Sequence, residues 1–265
     1  MKPTKTAFAI VAHPDDIEFH MAGTLLLLRA RGWDIHYMTI ASGSLGSMQY
    51  SAAQTRKVRR QESQRAATIL GAHWHPSLVD DMEILYELKT LRRLTAVIRQ
   101  VHPDIVLTQP PCDYMEDHVN ACRLAVSAAF VRGMPNFGTL PSRRHDPKDV
   151  TVYHAVPHGL RDQLRRPMAP EIFVNITSVL QTKCAALAAH RSQASWLEET
   201  QAMNAYVDQM QQEARTLGKA SRKFQFAEGW WRHSHLGFCS PDADPLRQAL
   251  GSDYRLNPAY AKLLK

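Results

Sequence analysis

AFAIVAHPDDIEFHMAGTLLLLRARGWDIHYMTI, residues 7 to 40, is the stretch on which the fold turns. A short apolar run, Ala7 to Val11, leads to a helical stretch from Gly23 to Arg31 that stops at Gly32. Asp34 to Ile40 then supplies a second run rich in β-branched and aromatic residues. Two such runs joined through a helix predict parallel strands with a crossover. Glycine just past a helix is the usual stop, because it tolerates the left-handed turn that ends one. The alternation continues outward. Gln54 to Leu70, closed by Gly71, and Leu88 to Val101, halted near His102 and Pro103, read as helices, and Ile105 to Thr108 as a buried strand. After the proline-punctuated turn from Gln109 to His118, a helix runs to about Arg132, with Asp113 and Glu116 in the spacing of a capping-box variant. Beyond the loop-like stretch from Met134 to Lys148, strands are expected at Thr151 to Ala155 and Ile172 to Ile176. Helices are expected at about Val179 to His190 and Trp196 to Arg215. The class is α/β, a mostly parallel sheet flanked by helices.

A chain of 265 residues with 45% apolar content is large enough for one continuous core around such a sheet. We therefore expect a single catalytic domain over residues 1–265, with about 196–265 as a helical C-terminal extension of it. The apolar stretches, such as Leu25 to Leu28, fall far short of the roughly 18 residues needed to span a bilayer. Met1 to Thr6 leads directly into the first strand without a signal-type apolar region, so a cytoplasmic location is expected. Cys112, Cys122, Cys184 and Cys239 form no Cys-x-x-Cys pair, which predicts reduced, mostly buried thiols and no thiolate zinc site. The formal charge of +7 invites a test for acidic partners, but Arg56-Lys57-x-Arg59-Arg60, Arg143-Arg144 and Arg165-Arg166 come with no nucleic-acid motif or interleaved aromatics. They read as solvated helix faces, and no nucleic-acid partner is expected.

The chemistry gathers where strands end. His13-Pro14-Asp15-Asp16 follows the first strand directly, and open α/β sheets bind ligands at the carboxyl ends of their strands. Two adjacent carboxylates point in different directions on an extended backbone, so one can ligate a metal while the other stays free for acid/base work. A catalytic zinc site takes three protein ligands and one open position, so His13 and Asp16 need a further imidazole. Asp117-His118 follows another buried strand and supplies the candidate, His118. The Ser- and Gly-rich segment from Ala41 to Ala53 reads as a long loop at the same rim.

These pieces together resemble the PIG-L/LmbE family of zinc-dependent N-acetylglucosaminyl deacetylases. The resemblance rests on Ala12-His-Pro-Asp-Asp16, Ala22-Gly23-Thr24, Arg59-x-x-Glu62 before Leu70-Gly71, Asp117-His118 and His190-x-Ser192-Gln193. It covers about the first 195 residues well, with Ala227-Glu228-Gly229 as the best later candidate. It implies a Rossmann-like sheet and a divalent metal held by His13, Asp16 and His118. It further implies Asp15 as general base and then acid, and Arg59 as a substrate-binding residue. The implied reaction is removal of an N-acetyl group from an amino sugar or its conjugate. Zinc is the implied cofactor, although a His/Asp/His set accepts ferrous iron or another divalent metal equally well on geometric grounds. The implied partner is a small N-acetylated sugar or conjugate, and a homo-oligomer is compatible with it.

The sequence departs from that pattern at one point. Where relatives often carry His-x-Asp-His, it reads Met115-Glu116-Asp117-His118, so the histidine expected to stabilise the oxyanion is missing. Losing one such donor typically costs on the order of a hundredfold in rate, which makes His20, His154 and His158 candidate substitutes. His190-x-Ser192-Gln193 reads as packing against the site, and Trp230-Trp231 with His233-x-His235 as packing or an interface. Two other readings stay open: a metal-assisted hydratase or lyase acting on an unsaturated dicarboxylate, and a non-catalytic binding protein.

Overall fold

The structure is a computed structural model that describes residues 4–193 and 206–263. All six residues of β1 (Thr6–Val11) are buried, because the two faces of the strand enter different cores. Ala7, Ala9 and Val11 pack into one layer, and Phe8 and Ile10 into the other. A strand covered on both faces reads as a continuous apolar run, as this one does. β2 (Asp34–Thr39) and β4 (Ile105–Thr108) pair parallel with β1 on its two sides. β3 (His73–His75) and β5 (Thr151–Ala155) extend the sheet in the same sense. The far half is antiparallel: β7 (Ala227–Arg232) enters between β5 and β6 (Ile172–Asn175), and β8 (Tyr254–Leu256) forms the edge. The order is β3-β2-β1-β4-β5-β7-β6-β8, so the expected α/β architecture is present.

Helices α1 (Asp16–His20), α2 (Ala22–Ala30), α3 (Ala52–Leu70), α6 (Leu180–Leu187), α7 (Tyr206–Ser221) and α8 (Pro245–Leu250) contribute to one buried layer. α4 (Leu88–Val101) and α5 (Glu116–Val131) cover the other face, and α9 (Pro258–Leu263) follows β8. α4 shows why its sequence is helical: Leu91, Leu94, Ile98 and Val101 recur at three- and four-residue spacing and all are buried. Each contributes about 1.5–3 kcal/mol when fully removed from water. α3 begins at Ala52 because Ser51 and Gln54 make a capping box, and it ends at Gly71 in the left-handed conformation, φ 69°. No helix among the described residues is long and apolar enough to cross a membrane.

From β1 the chain runs outward through β2 and β3, then returns to place β4 on the opposite side of β1. The strand order therefore reverses between β1 and β4, and the segments leaving their carboxyl ends open a crevice there. That crevice receives both His13–Asp16 and the stretch after Thr108.

The C-terminal part differs from the expected helical extension. Residues 227–232 and 254–256 are strands of the main sheet, and β7 lies deep within it. The physical reason is a buried carboxylate that breaks the local apolar pattern. Glu228 accepts Gly23 N at 2.8 Å, Thr24 N at 2.8 Å and Thr24 Oγ1 at 2.6 Å, and lies 2.5 Å from Lys183 Nζ. It caps the first turn of α2 from a different strand and ties β7 to the start of the chain. A Cβ at Gly23 would stand 2.5 Å from Ile176 Cγ2, so this close approach needs glycine.

Smaller differences follow the same logic. The helix expected from Trp196 starts outside the described residues, and within them it runs from Tyr206 to Ser221. The helix expected over Val179 to His190 covers only Leu180–Leu187. The capping box expected from Asp113 and Glu116 does not form: α5 is preceded by Met115, which makes no side-chain cap bond, because the Asp113 carboxylate is engaged elsewhere. All four cysteines are free thiols, but only Cys122 is fully buried. Trp230 is buried with its Nε1 on Thr24 Oγ1, and His233 pairs with His154, so the late aromatic and histidine cluster serves packing.

Candidate active site

His13 and Asp16 leave β1, and His118 stands in the first turn of α5. One ligand atom from each of the three lies within 4.8 Å of the others. Their remaining polar atoms are occupied. His118 Nδ1 donates to Asp113 Oδ1 at 3.0 Å, leaving Nε2 3.5 Å from Asp16 Oδ1. His13 Nε2 donates to Asp117 Oδ2 at 2.9 Å, which leaves Nδ1. Asp16 Oδ2 accepts from the His13 backbone N–H at 2.7 Å and from Gln109 Nε2 at 3.0 Å, which leaves Oδ1. Two imidazoles and one carboxylate thus each keep a lone pair turned inward while a neighbour fixes their orientation. This is the donor set of a divalent metal with an open position, and it fits zinc or ferrous iron. Burial lowers the His118 pKa, but the Asp16 and Asp113 carboxylates outweigh it and push it up to about 9, so a cation at this set would displace the proton from Nε2.

Asp15 sits beside this cluster at φ 100°, in the left-handed region that disfavours any residue with a Cβ. The strained turn directs its carboxylate inward, where Tyr206 Oη donates to Oδ2 at 3.0 Å and Arg59 Nη2 lies 3.5 Å from Oδ1. Burial pushes the Asp15 pKa up, and the Arg59 charge opposes that rise. Arg59 is not the solvated arginine of a basic helix face. It is 1% exposed, donates to the Pro14 carbonyl, and keeps Nε and Nη1 without a hydrogen-bond partner. Gly43, at φ 79°, lies against it, and a Cβ there would come within 2.7 Å of Arg59 Nε. Behind Arg59, Glu62 accepts from Ser192 N at 2.9 Å and Ser192 Oγ at 2.5 Å, and His190 lies 3.3 Å from Glu18, so the His190-x-Ser192 segment packs against the site.

All five of these site residues, His13, Asp15, Asp16, Arg59 and His118, line one cavity of about 510 Å³. Leu45 and Gly46 from the loop after β2, Met82, Tyr114 and Tyr206 complete much of its wall. Residues 8–130 match the family model described as PIG-L, GlcNAc-PI de-N-acetylase. A diacetylchitobiose deacetylase of Thermococcus kodakarensis is 30% identical over 196 residues, covering 71% of this chain and 70% of that protein.

The chain belongs to the PIG-L family.

Relatives of this PIG-L chain carry a second reaction class as well. A 4-oxalmesaconate hydratase of Pseudomonas putida is 29% identical over 193 residues, covering 70% of this chain and 72% of that one. The crystal structure of a 4-carboxy-2-hydroxymuconate hydratase from Pseudomonas putida superposes with a TM-score of 0.72 at 25% identity, covering 86% of this chain and 96% of that one.

The PIG-L match ends before several residues that build this site. Tyr206 reaches Asp15 from a helix in the last quarter of the chain, and its local sequence carries no sign of that contact. Asp113 and Asp117 orient the two imidazoles, although the spacing of Asp113 from Glu116 suggested helix capping. Met115 lines the cavity, and of the three histidines considered in place of a donor there, His20 and His158 line it too. His154 does not: its Nδ1 is 2.9 Å from the Gln109 carbonyl and its Nε2 is 3.0 Å from His233. Burial, aided by His158, holds the His20 pKa well below its ordinary value. His158 Nε2 lies 3.0 Å from Gln209 Nε2, and its Nδ1 is 3.7 Å from Glu213.

Proposed function

We propose that this chain is a metal-dependent hydrolase that removes an N-acetyl group from an amino sugar or an amino-sugar conjugate. The observation that carries the reading is the inward-facing set from His13, Asp16 and His118 with the Asp15 carboxylate beside it on one cavity. A divalent ion, zinc in the first instance, would polarise the acetamide carbonyl and lower the pKa of water from about 15.7 toward about 7.

The chain's own groups supply the rest. Asp15, held by Tyr206 and facing Arg59, takes the proton from the attacking water. The same carboxyl then returns that proton to the leaving nitrogen, since an amine departs poorly from a tetrahedral centre unless protonated. Arg59 keeps the Pro14–Asp15 turn in place and sets its positive charge beside Asp15 on the cavity wall, where it would help position the substrate. Tyr114, His20 and His158 line the wall where an oxyanion donor would act in place of the absent histidine at position 115.

The test is acetate release from a panel of N-acetylated sugars and conjugates, with bound metal quantified, for the wild type and Asp15→Asn. The variant should retain metal and lose about 10²–10⁴ in kcat. No release from any substrate by metal-loaded wild type would refute the reading. The likeness to the two hydratases supports a second one, hydration of an unsaturated dicarboxylate, and loss of ultraviolet absorbance on adding such a compound would favour it.

A further inference from the structure

Three of the more exposed large apolar side chains among the described residues line one cavity. Leu45 is 55% exposed, Met82 61% and Tyr114 56%, and all three line the cavity that holds the metal ligands. Single exposed apolar residues are ordinary, but a group at the mouth of a reaction cavity marks a contact surface.

Their backbone is fixed rather than loose. Asp81 accepts Gly43 N at 2.7 Å and Leu45 N at 3.0 Å, which pins the loop that carries Leu45. Asp117 Oδ2 accepts Met82 N at 2.7 Å with the same oxygen that orients His13, so Met82 is tied to a metal-ligating residue. Met82 sits at φ 63°, a left-handed conformation that a residue with a side chain adopts only when its surroundings enforce it. Tyr114 stands edge-on to the His118 ring, centroids 5.7 Å apart and planes at 75°. The rim is therefore preorganised and registered to the catalytic cluster, which reduces the ordering cost of binding against it.

We propose that Leu45, Met82 and Tyr114 form an apolar subsite for the group to which the amino sugar is attached. The substrate is then an N-acetylated amino sugar carrying an aromatic aglycone, rather than a free sugar, a methyl glycoside or a polar oligosaccharide. The proposal rests on the deacetylase reading. Two features select this chemistry. The cavity, at about 510 Å³, is of the size that encloses a drug-sized ligand and leaves room beyond one acetamido sugar. Leu45 and Met82 also offer no side-chain hydrogen bond to a second sugar's hydroxyls, which would lose water there without replacement partners.

The experiment compares phenyl and methyl glycosides of N-acetylglucosamine, in both anomers, with diacetylchitobiose as substrates of the zinc-loaded chain. The phenyl glycoside should be deacetylated with a kcat/KM at least tenfold above the other two. Leu45→Ser and Met82→Ser, both at exposed positions, should each reduce the phenyl-to-methyl ratio at least threefold. Equal efficiency on phenyl and methyl glycosides, or preference for the disaccharide, overturns the subsite while leaving the deacetylase reading intact. Absence of acetate from all three overturns the deacetylase reading instead. Calorimetry with phenyl and methyl 2-amino-2-deoxyglucosides then judges the subsite by itself: tenfold tighter phenyl binding, lost in Met82→Ser, supports it, and equal affinities overturn it.

Discussion

Glu228→Ala removes the buried carboxylate that joins β7 to the first turn of α2. Glu228 and Lys183 are 3% and 1% exposed at the side chain and 2.5 Å apart, so the substitution leaves an ammonium buried without a counter-charge. It also strips acceptors from Gly23 N, Thr24 N and Thr24 Oγ1. Breaking a buried pair by removing one partner costs about 3–5 kcal/mol, against a total stability of about 5–15 kcal/mol for a typical protein. At about 2–4 °C per kcal/mol for a chain of this size, the melting temperature should fall by about 6–20 °C. Glu228→Gln keeps the volume and one acceptor but loses the charge, so it should fall between wild type and alanine. The informative variant is the double one, Glu228→Gln with Lys183→Met. Its cost should be smaller than the sum of the two single costs by at least about 1 kcal/mol, because the second change removes the orphaned charge created by the first. Urea unfolding followed by circular dichroism measures all five proteins: wild type, Glu228→Ala, Glu228→Gln, Lys183→Met and the double variant. A Glu228→Ala cost below about 1 kcal/mol, or strict additivity in the double variant, would show that the pair does not hold β7 onto α2.

Asp113→Ala removes the acceptor on His118 Nδ1 and should weaken zinc binding about 10- to 100-fold in a chelator competition, with Asp113→Asn intermediate; unchanged affinity in both would remove Asp113 as the group that orients His118. Tyr206→Phe deletes one hydrogen bond to Asp15, worth about 1 kcal/mol, and should lower kcat about fivefold while KM and metal content stay within twofold; an equal loss in KM would point to substrate contact instead. Burial pushes His154 down to about 4, with the Gln109 carbonyl opposing, and His36 and His75 are also held at about 4, chiefly by burial. Their folded pKa values lie below the unfolded ones, so the unfolded chain takes up protons first, and the contribution of these three groups to stability should be level above about pH 7 and decline as pH falls from about 6.5 to 4. Each group adds at most about 1.4 kcal/mol per pH unit, less for His36 and His75, which are only partly buried and so partly screened by water. A stability curve flat across that window would contradict the burial of His154.

Much of the first half was readable from local pattern alone. The β1 run, the end of α3, the α4 boundaries and Ile105–Thr108 follow from periodicity and from glycine or proline stops, as does Thr151–Ala155 further on, whereas α3 starts at Ala52, two residues before the expected Gln54. His13, Asp15, Asp16 and His118 could be singled out because strand-end polar residues in an α/β sheet face a common rim. The local pattern misled where a side chain's partner is distant. Asp113 has the spacing of a cap yet holds His118, and Ala227–Arg232 reads poorly as a strand because Glu228 looks like an exposed position until Lys183 and the start of α2 surround it. Arg59 sits within a basic run, which hides that it alone of that run is turned inward onto Pro14 and Asp15.

The order of residues determined the parallel half of the sheet and which polar groups stand at its carboxyl rim, because hydrophobic period and chain stops are local properties. Only the tertiary structure decided that one oxygen of Asp117 serves both His13 and Met82, that Tyr206 reaches Asp15 from 191 positions away, and that β7 closes the sheet between β5 and β6. Those contacts join segments distant along the chain, and a hydrogen bond between two buried groups leaves no mark on the periodicity of either.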